Sequence, residues 1–307
     1  IYYAMQKDTN LTGAKDVALF MICLKLGREL CHSKRDNRVD IALGSGGRGM
    51  GDHVKDGYAL LQGSVPYAIQ LLDFNYSTEA GKSYFFRKAV SLAVNKVKQT
   101  EGYPASTPTD QIITSLSYGR TRPQAIYNLE EARKLVQTLP IKIKNATHII
   151  MYHGLPDDPQ PAYLTNLIED FKRVGLKAKG LGSKKMKLDD DDKNITFIIH
   201  GRVVDNDPLM SFAYYLPEGG FPLQNPSHDE VFRTLFTSAE NAGSQEEKSE
   251  AIKQLSKYCQ ETAMQVPTKE RYPVYYINSR IKNLGIEDNA FDLNLENIEI
   301  NNAYANR

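Results

Sequence analysis

Ile195-Thr-Phe-Ile-Ile199, then Gly201-Arg-Val-Val-Asp-Asn-Asp-Pro208, then Phe212-Ala-Tyr-Tyr215, is the stretch whose reading decides the fold. A short apolar run closed by a Gly/Asp/Pro turn is the pattern of a strand buried on both faces. Asp207 followed by Pro208 reads as a cap and a first helical position, because proline has no N–H to leave unpaired there. Asn225-Pro-Ser-His-Asp229, two helical patterns and Gln265-Val-Pro-Thr-Lys-Glu-Arg-Tyr-Pro-Val-Tyr-Tyr-Ile277 follow.

Working outward, strand and helix signals alternate. Strands are expected at Tyr2–Gln6, Val39–Leu43, Tyr67–Phe74, Thr147–Tyr152 and Leu176–Leu181. Helical spacing covers Ala14–Leu30, Ser83–Asn95, Leu129–Leu139 and Pro161–Val174. Asn128 with Glu131, and Ser244-Gln-Glu-Glu247, have the form of capping boxes, the second opening a helix to about Ala263. Strands separated by helices imply an α/β protein with a mixed sheet flanked by helices.

Composition narrows the function. The 307 residues suffice for two domains, and 41% hydrophobic content supports a packed core. The 38 basic and 37 acidic residues nearly cancel, which argues against a nucleic-acid partner. No apolar run approaches the ~18 residues of a membrane span. The chain opens at Ile1, with no initiator Met and no basic-apolar leader, and reads as a fragment of a longer protein. Cys23, Cys31 and Cys259 form no Cys-x-x-Cys pair and read as structural thiols.

Motifs that carry chemistry are few. Gly44-Ser-Gly-Gly-Arg-Gly49 fits the dinucleotide-binding glycine pattern, but no helix opens after it and no acidic strand end follows about 20 residues on. It reads as a connection that binds no nucleotide. Lys184–Lys193 contains four consecutive aspartates whose side chains diverge, without calcium-loop spacing, so it reads as a solvated loop. His32, His53, His148, His153, His200 and His228 are scattered. No nucleophile elbow, zinc-protease or phosphate-loop motif is present. The expectation is no catalytic residue, no metal site and no cofactor.

In order and spacing these segments resemble the extracytoplasmic solute-binding proteins of bacterial ABC importers, the peptide/nickel/dipeptide-binding family. Arg38-Val-Asp-Ile-Ala42 and Leu71-Leu-Asp-Phe-Asn75 look like its two early strands. Arg87-Lys-Ala-Val-Ser-Leu-Ala-Val-Asn-Lys96 and Tyr127-Asn-Leu-Glu-Glu-Ala-Arg-Lys-Leu-Val136 look like two of its helices. Val174-Gly-Leu-Lys-Ala178 resembles its helix-ending motif, and Asp205-Asn-Asp-Pro208 its Asp turn, one residue short. The chain departs from the family at Gly201-Arg202, where many members carry Gly-Trp.

The resemblance implies a type II periplasmic-binding-protein-like fold, with 73–271 as the C-terminal ligand-binding lobe and 1–72 plus 272–307 as part of a first lobe. Leu71–Asn75 and Pro273–Ile277 would be the crossings on which the lobes close. It implies a short peptide or similar polar solute as ligand, a membrane permease as partner, a monomer, and a periplasmic or otherwise extracytoplasmic, membrane-anchored location. Asp205 falls where family members set a carboxylate against the ligand's α-amino group, with Arg202 and Tyr214 as companions. Two alternatives stand beside this: the sensing domain of a bacterial transcription regulator, and an α/β enzyme.

Overall fold

The computed structural model describes residues 41–44, 58–103, 105–121, 127–153, 160–183, 195–203, 207–216, 229–279, 281–286, 293–294 and 299–300. The chain divides into two compact units, residues 1–65 with 272–307, and residues 66–271. The expected strand 2–6 and helix 14–30, the loop 184–193, the glycine segment beyond Gly44, Cys23 and Cys31 lie outside the described residues.

In the smaller unit, strand β9 (Val274–Asn278) lies between β1 (Ile41–Gly44) and β2 (Tyr58–Gln62), antiparallel to both. Its five residues are all buried, which explains the continuous run Val-Tyr-Tyr-Ile. Pro273–Ile277, expected as a crossing, thus forms most of this strand.

The larger unit is built on a six-stranded mixed sheet. Strand β3 (Ala68–Phe74) sits inside it, antiparallel to β7 (Ile195–Val203) on one side and β8 (Gln265–Arg271) on the other. Beyond β8 lies the short edge strand β4 (Ser106–Pro108). Beyond β7 lie β5 (Thr147–His153) and β6 (Lys177–Ser183), parallel to one another. Leu71–Phe74 therefore belongs to this sheet, and the chain passes from unit to unit at 65–66, before β3 begins.

Helices cover both faces. Helix α1 (Glu79–Lys82) leads into α2 (Tyr84–Ala93), where Ser83 Oγ accepts the Phe86 N–H and Phe86, Ala89, Val90 and Ala93 are buried on one stripe. Helices α3 (Leu129–Thr138), α4 (Ile141–Asn145) and α5 (Ala162–Arg173) share that side. Their side chains meet Leu72, Phe74, Phe197, Ile199 and Val266 from the sheet. Asn128 Oδ1 caps α3 by accepting the Glu131 N–H at 3.0 Å, as the sequence predicts.

Helix α5 ends in a Schellman motif. Gly175 takes φ +87°, its N–H reaches Lys172 O, and the Leu176 N–H reaches Phe171 O at 3.0 Å. Leu176 is then buried, so the Gly-Leu pair both stops the helix and aims β6 at the sheet. On the opposite face, α6 (Met210–Ala213), α7 (Glu230–Glu240) and α8 (Gln245–Glu261) pack on Ile69 and Leu71. Ser244 Oγ caps α8, while Glu247 reaches back to the Gly243 N–H, one residue earlier than the standard box.

Buried His148 is enclosed by the rings of Phe86 and Phe197, with centroids at 4.6 and 6.1 Å. Its Nε2 lies 3.1 Å from Ile143 O and its Nδ1 3.4 Å from Thr196 Oγ1. These partners suit a neutral ring that donates from Nε2 and accepts at Nδ1. Burial lowers its pKa to about 4, opposed by the Ile143 carbonyl. The unfolded chain therefore binds the extra proton first, and stability falls as pH drops from about 6.5 towards 4. Denaturation of wild type against His148→Gln across that range should show the wild type losing up to about 1.4 kcal/mol more per pH unit. Parallel curves would contradict the assignment.

Candidate functional site

The sequence-predicted site lies at the C-terminal end of β7. The strand is buried from Ile195 to Ile199, then alternates: Gly201 and Val203 are exposed, and Arg202 between them is 6% exposed. Arg202 thus points from the same sheet face as His200, toward the α6 segment. Its Nη1 donates to Ser211 O at 2.9 Å. Its guanidinium lies 4.4 Å from the Tyr214 ring centroid and 4.8 Å from that of Tyr215. Two of the three expected residues, Arg202 and Tyr214, are therefore in direct contact. Asp205 lies outside the described residues.

The turn that carries Tyr214 is fixed by its own hydrogen bonds. Asp207 Oδ1 accepts the Leu209 N–H and the Tyr118 hydroxyl, and Lys248 Nζ reaches Oδ2 at 2.7 Å. Burial pushes the Asp207 carboxyl up; the bonds from Lys248, Leu209 and Tyr118 outweigh this and hold it below the usual range. The expected cap at Asp207, with Pro208 as first helical residue, is not formed: Leu209 is the N-cap and no side chain caps it, while Asp207 holds the turn before it, with Met210 N bonded to Asp207 O and Ser211 N to Pro208 O. The helix proper begins later, at Met210.

Asp73, which sequence reading passed over as part of a strand motif, organises the underside. It is 1% exposed on β3, and its Oδ1 accepts the hydroxyl of fully buried Tyr215 at 2.9 Å. Oδ2 lies 3.2 Å from His200 Nε2 and 3.8 Å from Arg202 Nη2. Neither contact has hydrogen-bond alignment, and Oδ2 and His200 Nδ1 have no hydrogen-bond partner among the described residues. The attraction of Asp73 for the Arg202 guanidinium is electrostatic. Burial depresses the His200 pKa, Asp73 opposes this and Arg202 reinforces it. His200 is thus neutral near pH 7, and Arg202 is the cation that balances Asp73. The available signal was the carboxylate within Ala-Ile-Gln-Leu-Leu-Asp-Phe, because a charge in a fully buried strand requires a partner.

Arg202 is committed to Ser211, the two rings and Asp73, and Tyr214, 39% exposed, presents an aromatic face held from beneath by the guanidinium. Among the described residues, no group of three or more His, Cys, Asp or Glu side chains is placed to hold a metal ion. None of the described helices is long and apolar enough to cross a membrane.

No protein-family model and no curated protein sequence matches the chain. Solved structures do. The ABC-transporter-associated periplasmic binding protein DppA of Helicobacter pylori, in complex with a peptide, is 14% identical, with TM-score 0.72 over 89% of this chain and 55% of that one. The ABC transporter substrate-binding protein CtaP of Listeria monocytogenes is 15% identical, with TM-score 0.70 over 83% and 54%. NikZ of Campylobacter jejuni, in complex with Ni(L-His), is 15% identical, with TM-score 0.69 over 86% and 56%.

The fold is that of the type II solute-binding proteins. This chain spans a little over half the length of each.

Removing the Asp73 carboxylate while keeping Arg202 buried tests the cluster. Asp73→Ala should lower stability by about 3 kcal/mol, since it strands the Tyr215 hydroxyl and the Arg202 charge together. Asp73→Asn, which retains an acceptor for Tyr215, should lose less. Equal losses in urea denaturation would show that the charge plays no part.

Proposed function

We propose that this chain is the solute-binding part of an ABC import receptor, taking a short peptide or similar polar solute outside the cytoplasmic membrane and passing it to a membrane permease. The observation that carries the reading is the Tyr214 face, seated on Arg202 at the end of β7, in a fold whose solved examples are binding proteins. A ring that is rigidly backed yet partly open contributes contact area with little entropy to lose on binding. Asp205, two residues before Asp207, falls by the family resemblance where a carboxylate meets a ligand ammonium, and in this reading it supplies that carboxylate. A buried carboxylate–ammonium pair is a charge-assisted hydrogen bond, stronger than a neutral one. In this reading the chain performs no catalysis, and Arg202 positions the aromatic face instead of contacting solute itself.

The test is calorimetry on the protein at its full natural length, titrated with di- and tripeptides and, as a comparison, Ni(L-His). A short peptide should bind saturably. Asp205→Asn should cost about 2–5 kcal/mol of affinity, and Tyr214→Ala about tenfold in Kd. Saturable binding of Ni(L-His) with no response to any peptide would overturn the peptide assignment. Peptide affinity unchanged in both variants would remove this end of β7 from the site.

A further inference from the structure

A polar cavity lies within the larger unit, at the edge of its sheet. It measures about 150 Å³ and opens between α2, the segments around Asp110 and Thr121, the end of α8 and the start of β8. Its position differs from that of the Arg202–Tyr214 surface: Gln265 begins β8 opposite Asp73, whereas Arg202 lies opposite Ile69 at the other end of β3.

The lining is built for a ligand with both charge and hydrogen-bonding capacity. Gln265 is 5% exposed, and its Oε1 has no hydrogen-bond partner among the described residues. The same holds for Thr121 Oγ1. Thr121 is held rigidly: Gln111, 1% exposed, donates Nε2 to Thr121 O at 2.7 Å and accepts the Thr121 N–H at 2.9 Å. The Gln265 carbonyl oxygen calls for a donor in the cavity, because an unpaired buried acceptor costs about 1–3 kcal/mol, and the Thr121 hydroxyl beside it can accept or donate. Lys96 also lines the space, and burial lowers its ammonium to about 8 against the opposing pull of Asp110. Lys88 adds a second ammonium, and Lys257 and Glu261, paired at 3.7 Å, stand at the rim. An ammonium losing its hydration calls for an anion, so the cavity asks for both in one small molecule.

We propose that this cavity binds a small α-amino acid of the size of glycine, alanine or serine, with its carboxylate on the Lys96 and Lys88 ammoniums and its own ammonium on Gln265 Oε1, Thr121 Oγ1 and the Asp110 carboxylate. An inorganic anion meets the lysines and can accept the Thr121 hydroxyl, but it leaves the Gln265 Oε1 acceptor unanswered. A cavity of this volume admits a molecule about as large as benzene, the size range of a small amino acid. The proposal does not depend on the peptide reading, since no residue is shared.

The experiment is ligand-observed NMR and calorimetry on the full-length protein with glycine, L-alanine, L-serine, inorganic phosphate and acetate. At least one of the amino acids should bind saturably, and more tightly than phosphate or acetate. Lys96→Met and Gln265→Met should each weaken it by about tenfold, with the fold checked by circular dichroism, while Tyr214→Ala leaves it unchanged. Amino-acid binding that is lost in Tyr214→Ala and kept in Lys96→Met would assign it to the end of β7 and sink the proposal. So would equal affinity for acetate and glycine, or no saturable binding of any amino acid at 10-fold excess over a millimolar Kd.

Discussion

A carboxylate on a strand with no solvent on either face is the constraint around which the larger unit is arranged. All seven residues of β3 are buried, with β7 and β8 on its flanks and helices on both faces. Asp73 cannot shed its charge into water from there, so the fold brings charge and donors to it. Tyr215 supplies a hydroxyl from 142 residues away, and His200 and Arg202 supply nitrogen from the adjacent strand. Arg202, drawn inward by Asp73, then fixes Ser211 and the two tyrosine rings. The aromatic end of β7 is thus a consequence of a charge set four residues further along β3.

The sheet repeats this device on its other side. Lys269 and Glu270 on β8 are each 1% exposed. Glu270 is met by Arg120 at 2.6 Å and by Ser115 at 2.7 Å. Lys269 donates to Gln99 O at 2.7 Å and lies 3.4 Å from the Tyr103 ring centroid. Burial lowers the Lys269 ammonium to about 7, while the carbonyl and the ring favour the charged form. Pro267 is tolerated in this internal strand because the register shifts there, and Thr268 Oγ1 donates to Gln70 O in the irregular turn of the ladder.

Much of this was legible in the chain, and the legible parts are those set by local rules. β7 shows itself through a continuous apolar run, α3 and α8 through their caps, and the end of α5 through Val174-Gly-Leu176. β4 was missed because three residues of Ser-Thr-Pro carry no periodicity; it is a strand only because β8 lies beside it. The units divide at 65–66 and not at 72–73, because Leu71–Asn75 has the apolar pattern of any buried strand, crossing or not. At the site, Arg202 and Tyr214 were legible as chemistry near an Asp turn. The role of Asp73 beneath them joins residues more than a hundred positions apart, which no spacing rule reaches.

The central claim is that the Tyr214 face at the end of β7 receives solute. A crystal structure of the full-length protein grown with its bound solute tests it most directly. The account predicts solute atoms within about 4 Å of the Tyr214 ring, with the Arg202 guanidinium still stacked behind it. Solute bound elsewhere, with the Tyr214 ring touching only water, would contradict it.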